Sequence, residues 1–410
     1  MSETANAPRP DFIRPDLDPL WMPFTHNRYF KQHPRLVVAA EGVHYTSEDG
    51  REIIDALSGL WCCNAGHRHP KIIEAVKAQL DVLDYAVAFQ AHHPKAFELA
   101  EKLCAAAPAP FRHAFFTNSG SEACDTALKI ALAYHKARGD GSRFRLIGRE
   151  KGYHGVGFGG QPAWGAHLAD DLARLIALHD ASTIAAVIIE PMQGSAGVIV
   201  PPLGYLERVR ELCTAHGIVL IFDEVITGFG RLGEIFSPDR FGVMPDLITF
   251  AKGVTSGMIP LGGVLATAEI YDAFMQGPEH LVEFFHGYTY SGHPIAAAAG
   301  IAAIDVYESE DLFARARALE PVLERAVHAL RGERHIVDIR NCGLAAAFEL
   351  EPRPGAPSLR AMDVFHRCYD NGVMVRYAGD VIAIGPPLTI SERQITQIVE
   401  IIRDAVRAVD

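Results

Sequence analysis

The chain has 410 residues, 49% hydrophobic and 21% charged, with a formal net charge of −12. That size calls for two domains, or one large domain with a smaller split one, and the balance excludes collagen, coiled coil and a long disordered chain. The acidic excess leaves nothing to neutralise nucleic-acid phosphates, and no apolar run reaches membrane-spanning length.

The opening "MSETANAPRPDFIRPDLDP" is polar and proline-rich. It lacks the apolar core of a signal peptide and reads as a loose arm over residues 1–20. Seven cysteines without a C-x-x-C pair suit a reduced, cytoplasmic protein. "VHYTSEDGREIIDAL" predicts two strands around a turn at Glu48-Asp49-Gly50. "HPKIIEAVKAQLDVL" carries apolar residues at helical spacing. From about residue 110 to 305, short apolar runs alternate with longer amphipathic segments. "FRLIG", "AAVIIEP", "IVLIFDEV" and "DLITFAKG" are the runs, and "YLERVRELCTAHG" is a helix ending in a glycine. Continuous apolar strands separated by helices imply a parallel sheet covered on both faces.

The last hundred residues differ. "HIVDIRNCGLAAAFEL" predicts two antiparallel strands, "EPRPGAPS" a loop, and "VMVRYAGDVIAIGPP" a strand pair turning at Gly379-Asp380. "SERQITQIVEIIRDAVRAV" is a final helix with Ser391 as its cap. The expected architecture is α/β: a mostly parallel central sheet in a large domain over 66–308, and a smaller α+β domain from both termini. The smaller domain takes 21–65 and 309–410.

Ligands of such sheets bind beyond the carboxyl ends of the strands. Three successive runs end there in Glu190, in Asp223-Glu224 and in Lys252. Any one charge would only mark where a strand leaves the core; three on neighbouring strands argue for a working site. "FFTNSGSEACDTALKIALAYHKARG" is a strand, a turn at Asn118-Ser119-Gly120-Ser121 and a helix. Ser119-x-x-Glu122 has capping-box spacing, which by itself asks for a capped helix and no more. The functional alternative is an anion site at the helix start.

"GYHGVGFGG" holds G-x-G-x-x-G, but its strand ends too early and no acid follows a second strand at the required distance. A nicotinamide site is therefore rejected. Tyr153, beside His154, could instead lie flat on a ring. The His67/His69 and His92/His93 pairs lack zinc spacing, so no metal is expected. No G-x-S-x-G elbow is present. Pyridoxal phosphate unites the rest: a lysine bonds its aldehyde, an acid pairs with its ring nitrogen, and an anion site holds its phosphate.

On these residues the chain resembles the class III, fold-type I pyridoxal-phosphate aminotransferases, closest to the β-alanine–pyruvate and ω-amino acid–pyruvate type. The motifs are "GLWCCNAGH", "FFTNSGSEACDTALKIALAYH", "GREKGYHGVGFGG", "IFDEVITGFGRLG", "AKGVTSGMIPLGG", "FFHGYTYSGHP" and "RYAGDVIAIGPPL". The resemblance implies that Lys252 is the Schiff-base lysine and proton shuttle, and that Asp223 pairs with the pyridine nitrogen. It implies Val225 and Tyr153 on the two ring faces, and Ser119, Gly120 and Ser121 at the phosphate, with His154 and Glu190 also in the cofactor site. Thr289 would reach the phosphate from a neighbouring subunit of a homodimer or homotetramer. Arg376 would receive a substrate carboxylate, and Phe24, Trp61 and Phe89 would line the pocket. The implied substrates are an amine donor of β-alanine type and pyruvate. The chain departs from the family after Gly160, where "GFGG" meets "QPAWGAHLADD" as though a few dozen residues had been cut out. A catalytically silent homolog is the alternative this raises.

Overall fold

The structure, a computed structural model, describes residues 13–149, 152–154 and 167–410. The glycine pattern at 155–160 and the junction after Gly160 lie outside the described residues. A six-stranded sheet runs in the order Phe111–Thr117, Gly262–Thr267, Leu247–Phe250, Val219–Asp223, Ile184–Ile189, Arg145–Gly148. The last four pair in parallel, as the apolar runs predict. Gly262–Thr267 is antiparallel to both its neighbours.

Every residue of Ile184–Ile189, Val219–Asp223 and Leu247–Phe250 is buried. Their β-branched and aromatic side chains need helices on both faces, and each buried Ile or Phe contributes about 1.5–3 kcal/mol. Tyr205–His216 leads into Val219–Asp223 and closes on Gly217 at φ 61°. Gly120–Ala137 crosses the other face, burying Ala123, Ala127, Ile130, Ala131 and Tyr134.

Two smaller four-stranded sheets use the chain ends. In one, Val37–Glu41, His44–Ser47 and Glu52–Asp55 are joined by Val373–Met374, which runs parallel to Glu52–Asp55. The turn at 48–50 thus lies where the sequence puts it. In the other, Ile336–Asn341 and Ala346–Leu350 are antiparallel, and Ala346–Leu350 also pairs with Val381–Ile384. Arg376–Ala378 pairs with Val381–Ile384 across Gly379-Asp380. The expected strand from Val373 is thereby split: its first two residues go to one sheet and Arg376 onward to another. The final helix, Glu392–Arg407, carries a full capping box from Ser391 and Gln394. Among the described residues, no helix is long and apolar enough to cross a membrane.

Candidate active site at the strand ends

The parallel register brings the strand ends level. Ile189 pairs with Phe222 and Asp223 with Thr249, so Glu190, Asp223 and the turn at Lys252 come out on one edge. Asp223 is 3% exposed, and both oxygens of its carboxylate accept hydrogen bonds. Oδ2 accepts from His154 Nδ1 at 2.7 Å and from Cys124 Sγ at 3.2 Å. Oδ1 accepts from the Val225 amide at 3.1 Å and Thr249 Oγ1 at 3.3 Å. Burial alone would push Asp223 up, but the hydrogen bond and charge of His154 outweigh it and hold the acid below the usual carboxylate range. Burial likewise pushes His154 down, and Asp223 more than reverses it. The far nitrogen of His154, Nε2, is buried without a partner among the described residues.

Glu190 accepts from the Tyr153 amide at 3.0 Å and the Gly194 amide at 3.1 Å. Burial and the nearby Asp223 charge raise its pKa. Glu224, predicted beside Asp223 at the edge, turns the other way. It accepts from the Ser237 amide at 2.7 Å and from Thr227 Oγ1 at 2.5 Å, and burial pushes it up to about 7. Adjacent strand residues face opposite sides, so only one of the two acids can serve the site.

Lys252 opens a short 3-10 turn at φ 49°. It is half-buried, and among the described residues its ammonium has no hydrogen bond or ion pair. Burial lowers its pKa, partly opposed by Asp223 and Glu190, while Arg376 lowers it further. Arg376 is half-buried too, carries no acid partner among the described residues, and lies within electrostatic reach of Tyr153. The structure thus brings Lys252, Asp223, Glu190, His154, Tyr153 and Arg376 to one place.

At the turn before Gly120–Ala137, Ser119 Oγ accepts from the Glu122 amide at 3.2 Å. The Glu122 carboxylate returns to the Asn118 amide at 2.8 Å, one residue earlier than a capping box asks. Gly120 lies against Val225: a Cβ there would sit 2.7 Å from Val225 Cγ1. Gly120→Ala must therefore displace a stiff β-branched side chain or the helix start, an overpacking cost of about 1–3 kcal/mol. The expected result is a thermal midpoint several degrees lower and roughly tenfold weaker pyridoxal-phosphate uptake; a variant matching the parent in both would show that the close approach is not needed.

The remaining expected pocket residues are placed otherwise. Trp61 is 2% exposed, packed with Leu57, Ile226, Leu232 and Ala383 under the Arg231 guanidinium. Phe24 is 86% exposed, and Phe89 and Thr289 are exposed on the single chain. Two partners of Asp223 escaped the sequence reading. Cys124 lies one helical turn after Gly120, and Thr249 is the cross-strand neighbour of Asp223. Thr249 follows once strand register is known, and Cys124 once the helix is packed on the sheet. Cys124, His154 and Asp223 have ligand atoms within 4.8 Å of one another, a closeness that their mutual hydrogen bonds explain.

A buried, oriented acid, a lysine unpaired among the described residues and a helix start pressed on a valine fit pyridoxal 5'-phosphate. Comparisons with known proteins agree. The family model for Aminotransferase class-III matches residues 26–165 and 160–406. The two segments meet where the sequence reading puts the shortened stretch. An omega-aminotransferase of Caulobacter vibrioides is 53% identical, covering 98% of this chain and 100% of its own. That alignment spans 438 positions, more than the 410 residues of this chain. A beta-alanine–pyruvate aminotransferase of Pseudomonas aeruginosa is 44% identical over the full length of both. The crystal structure of an amine transaminase from an uncultivated Pseudomonas species, in a PLP-bound form, superposes with a TM-score of 0.89 at 35% identity, covering 94% of this chain and 98% of that one. Nothing in these likenesses supports a silent homolog.

Proposed function

This chain belongs to the class III aminotransferase family of fold-type I, pyridoxal-phosphate enzymes, and we propose that it transfers the amino group of an ω-amino acid or amine of β-alanine type to pyruvate. The products are alanine and an aldehyde or ketone. One observation carries the choice of substrate: Arg376, half-buried and without an acid partner among the described residues, lies within electrostatic reach of both Lys252 and Tyr153. A guanidinium in that state is made for a bidentate carboxylate. The full-length likeness to an omega-aminotransferase and a beta-alanine–pyruvate enzyme supports the same reading.

In this reading Ser119, Gly120 and Ser121 would hold the cofactor phosphate, Val225 and Tyr153 would pack against its ring, and Lys252 would supply the amine for its aldehyde. When bound, the cofactor supplies an electron sink. Asp223, kept ionised by His154, would favour positive charge on the ring nitrogen. Glu190 fixes the backbone at Tyr153. Lys252, whose amine burial keeps readier to be neutral, takes the proton from the amine-bearing carbon of the donor. Arg376 orients first the donor carboxylate and then that of pyruvate.

Thr289 of the partner subunit completes the phosphate site in a homodimer or homotetramer, and Phe24 and Phe89 belong to that shared pocket. The exposure of all three on the single chain supports this. Trp61 lines the same pocket if its ring leaves the Arg231 cluster. The large domain is residues 66–308, with 21–65 and 309–410 as the small one; the pairing of Glu52–Asp55 with Val373–Met374 supports joining the two ends. A cytoplasmic setting is supported by seven unbonded cysteines.

The test is alanine formation from pyruvate with β-alanine, repeated with Arg376→Ala. Losing a charge-assisted pair worth about 1.5–3 kcal/mol should raise KM for β-alanine and pyruvate roughly 10–100-fold. A donor amine without a carboxylate should react in its own half-reaction at the parental rate. No alanine from any ω-amino acid or amine would refute the proposal; an unchanged KM would remove Arg376 from it.

A further inference from the structure

Cys62 and Cys63 take no part in the chemistry above, yet they stand beside it. Their sulfurs are 3.9 Å apart, both residues are half-buried, and neither is bonded in a disulfide. Two glycines pack directly on the sulfurs, where any side chain would crowd them. A Cβ on Gly59 would sit 3.2 Å from Cys62 Sγ and 3.4 Å from Cys63 Sγ, and one on Gly257 would sit 3.2 and 3.0 Å from the same atoms. Gly257 is exposed and neither cysteine is fully buried, so the pair is within reach of solvent beside that glycine. Gly257 follows Lys252 by five residues, and its amide donates to the Lys252 carbonyl at 3.3 Å.

The two thiols share their acidity. The hydrogen bond from Cys63 lowers Cys62, with help from the Lys252 charge, while the same bond and burial raise Cys63. One sulfur is therefore poised as the nucleophile and its neighbour keeps a proton. An S–S bond between the two is disfavoured: consecutive α-carbons lie about 3.8 Å apart, below the usual disulfide span. A bridging atom has no such difficulty. Two sulfur bonds of about 2.3 Å, the length zinc–thiolate bonds take, closing across 3.9 Å make an angle of about 115°, which a small χ1 rotation adapts to a pyramidal centre.

We propose that Cys62 and Cys63 form a two-thiol clamp for soft, thiophilic species of the trivalent arsenic class, and that a loaded clamp blocks the adjoining active site. With phenylarsine oxide, both thiols attack arsenic. The arsenic–oxygen double bond gives way to two arsenic–sulfur bonds, and the two thiol protons leave with the oxygen as one water. Arsenic stays trivalent, so no oxidant is needed. The clamp stands on its own geometry, while its effect on catalysis rests on the role given to Lys252.

The test treats the pyridoxal-phosphate-loaded protein with one equivalent of phenylarsine oxide. Intact mass should show one phenylarsenic per chain and the loss of two titratable thiols. Alanine formation should fall at least tenfold and return with 2,3-dimercaptopropanol. Cys62→Ser and Cys63→Ser should each weaken the uptake at least tenfold, since a single thiol holds arsenic poorly. No adduct on the parent chain, or an adduct that survives in both variants, overturns the clamp. A loaded chain that keeps its rate overturns the block. A chain that makes no alanine before treatment would sink the proposed function, and the mass result would still decide the clamp.

Discussion

Lys252→Ala is expected to lower alanine formation by about 10⁴-fold or more, because in the proposed function it removes both the cofactor-bonding amine and the proton carrier. Its fold should survive: the ammonium makes no hydrogen bond or ion pair among the described residues. Lys252→Arg separates charge from chemistry. A guanidinium keeps the charge but cannot give up a proton near neutral pH, so it should be as inactive as alanine. The lysine also has a pH signature in the cofactor-free protein. Burial holds its folded pKa below the ordinary 10.5. Over that window the unfolded chain binds the extra proton, so stability should rise with pH up to about 10.5. Lys252→Ala should flatten that rise in thermal melts taken across the window. Parental activity in either variant would remove Lys252 from the mechanism.

The strand runs are continuous because both faces of the sheet are covered, so their ends, with Glu190, Asp223 and Lys252, were visible without coordinates. The Gly120–Ala137 helix announced itself through apolar spacing and Ser119. What stayed hidden depends on direction rather than position. Glu224 follows Asp223 in the chain yet faces Ser237 and Thr227, and no composition signal tells the two acids apart. Cys124 and Thr249 reach Asp223 only through packing and register. Val373 belongs to a sheet begun more than 300 residues earlier, a long-range pairing that local periodicity cannot encode. Arg376 sits on a short strand with no distinguishing spacing; resemblance pointed to it, and the structure adds that its guanidinium lacks an acid partner among the described residues.

Asp223→Asn should cost less than loss of the lysine but still about 10³-fold in kcat, the scale on which a preorganised charge acts. The side chain keeps its shape and loses its charge. Its single oxygen can stay with His154 Nδ1 and Cys124 Sγ, which places the amide NH2 against the Val225 amide. That donor cannot turn away, whereas the Thr249 hydroxyl can. The reverse orientation sets NH2 against His154, which must then present an unprotonated Nδ1. Either way the imidazolium loses its counter-charge, and burial, no longer outweighed, lowers His154. The imidazole titration should accordingly move to lower pH by NMR, alongside the fall in kcat. Thr249→Val is the control, since it deletes one neutral donor and leaves the carboxylate and its histidine in place. It should cost severalfold at most. A kcat for Asp223→Asn within severalfold of the parent would mean that a buried carboxylate with four donors serves only to hold the strand ends together. An unchanged rate with a shifted His154 would show the same thing from the other side: the ion pair would be real and the cofactor indifferent to it.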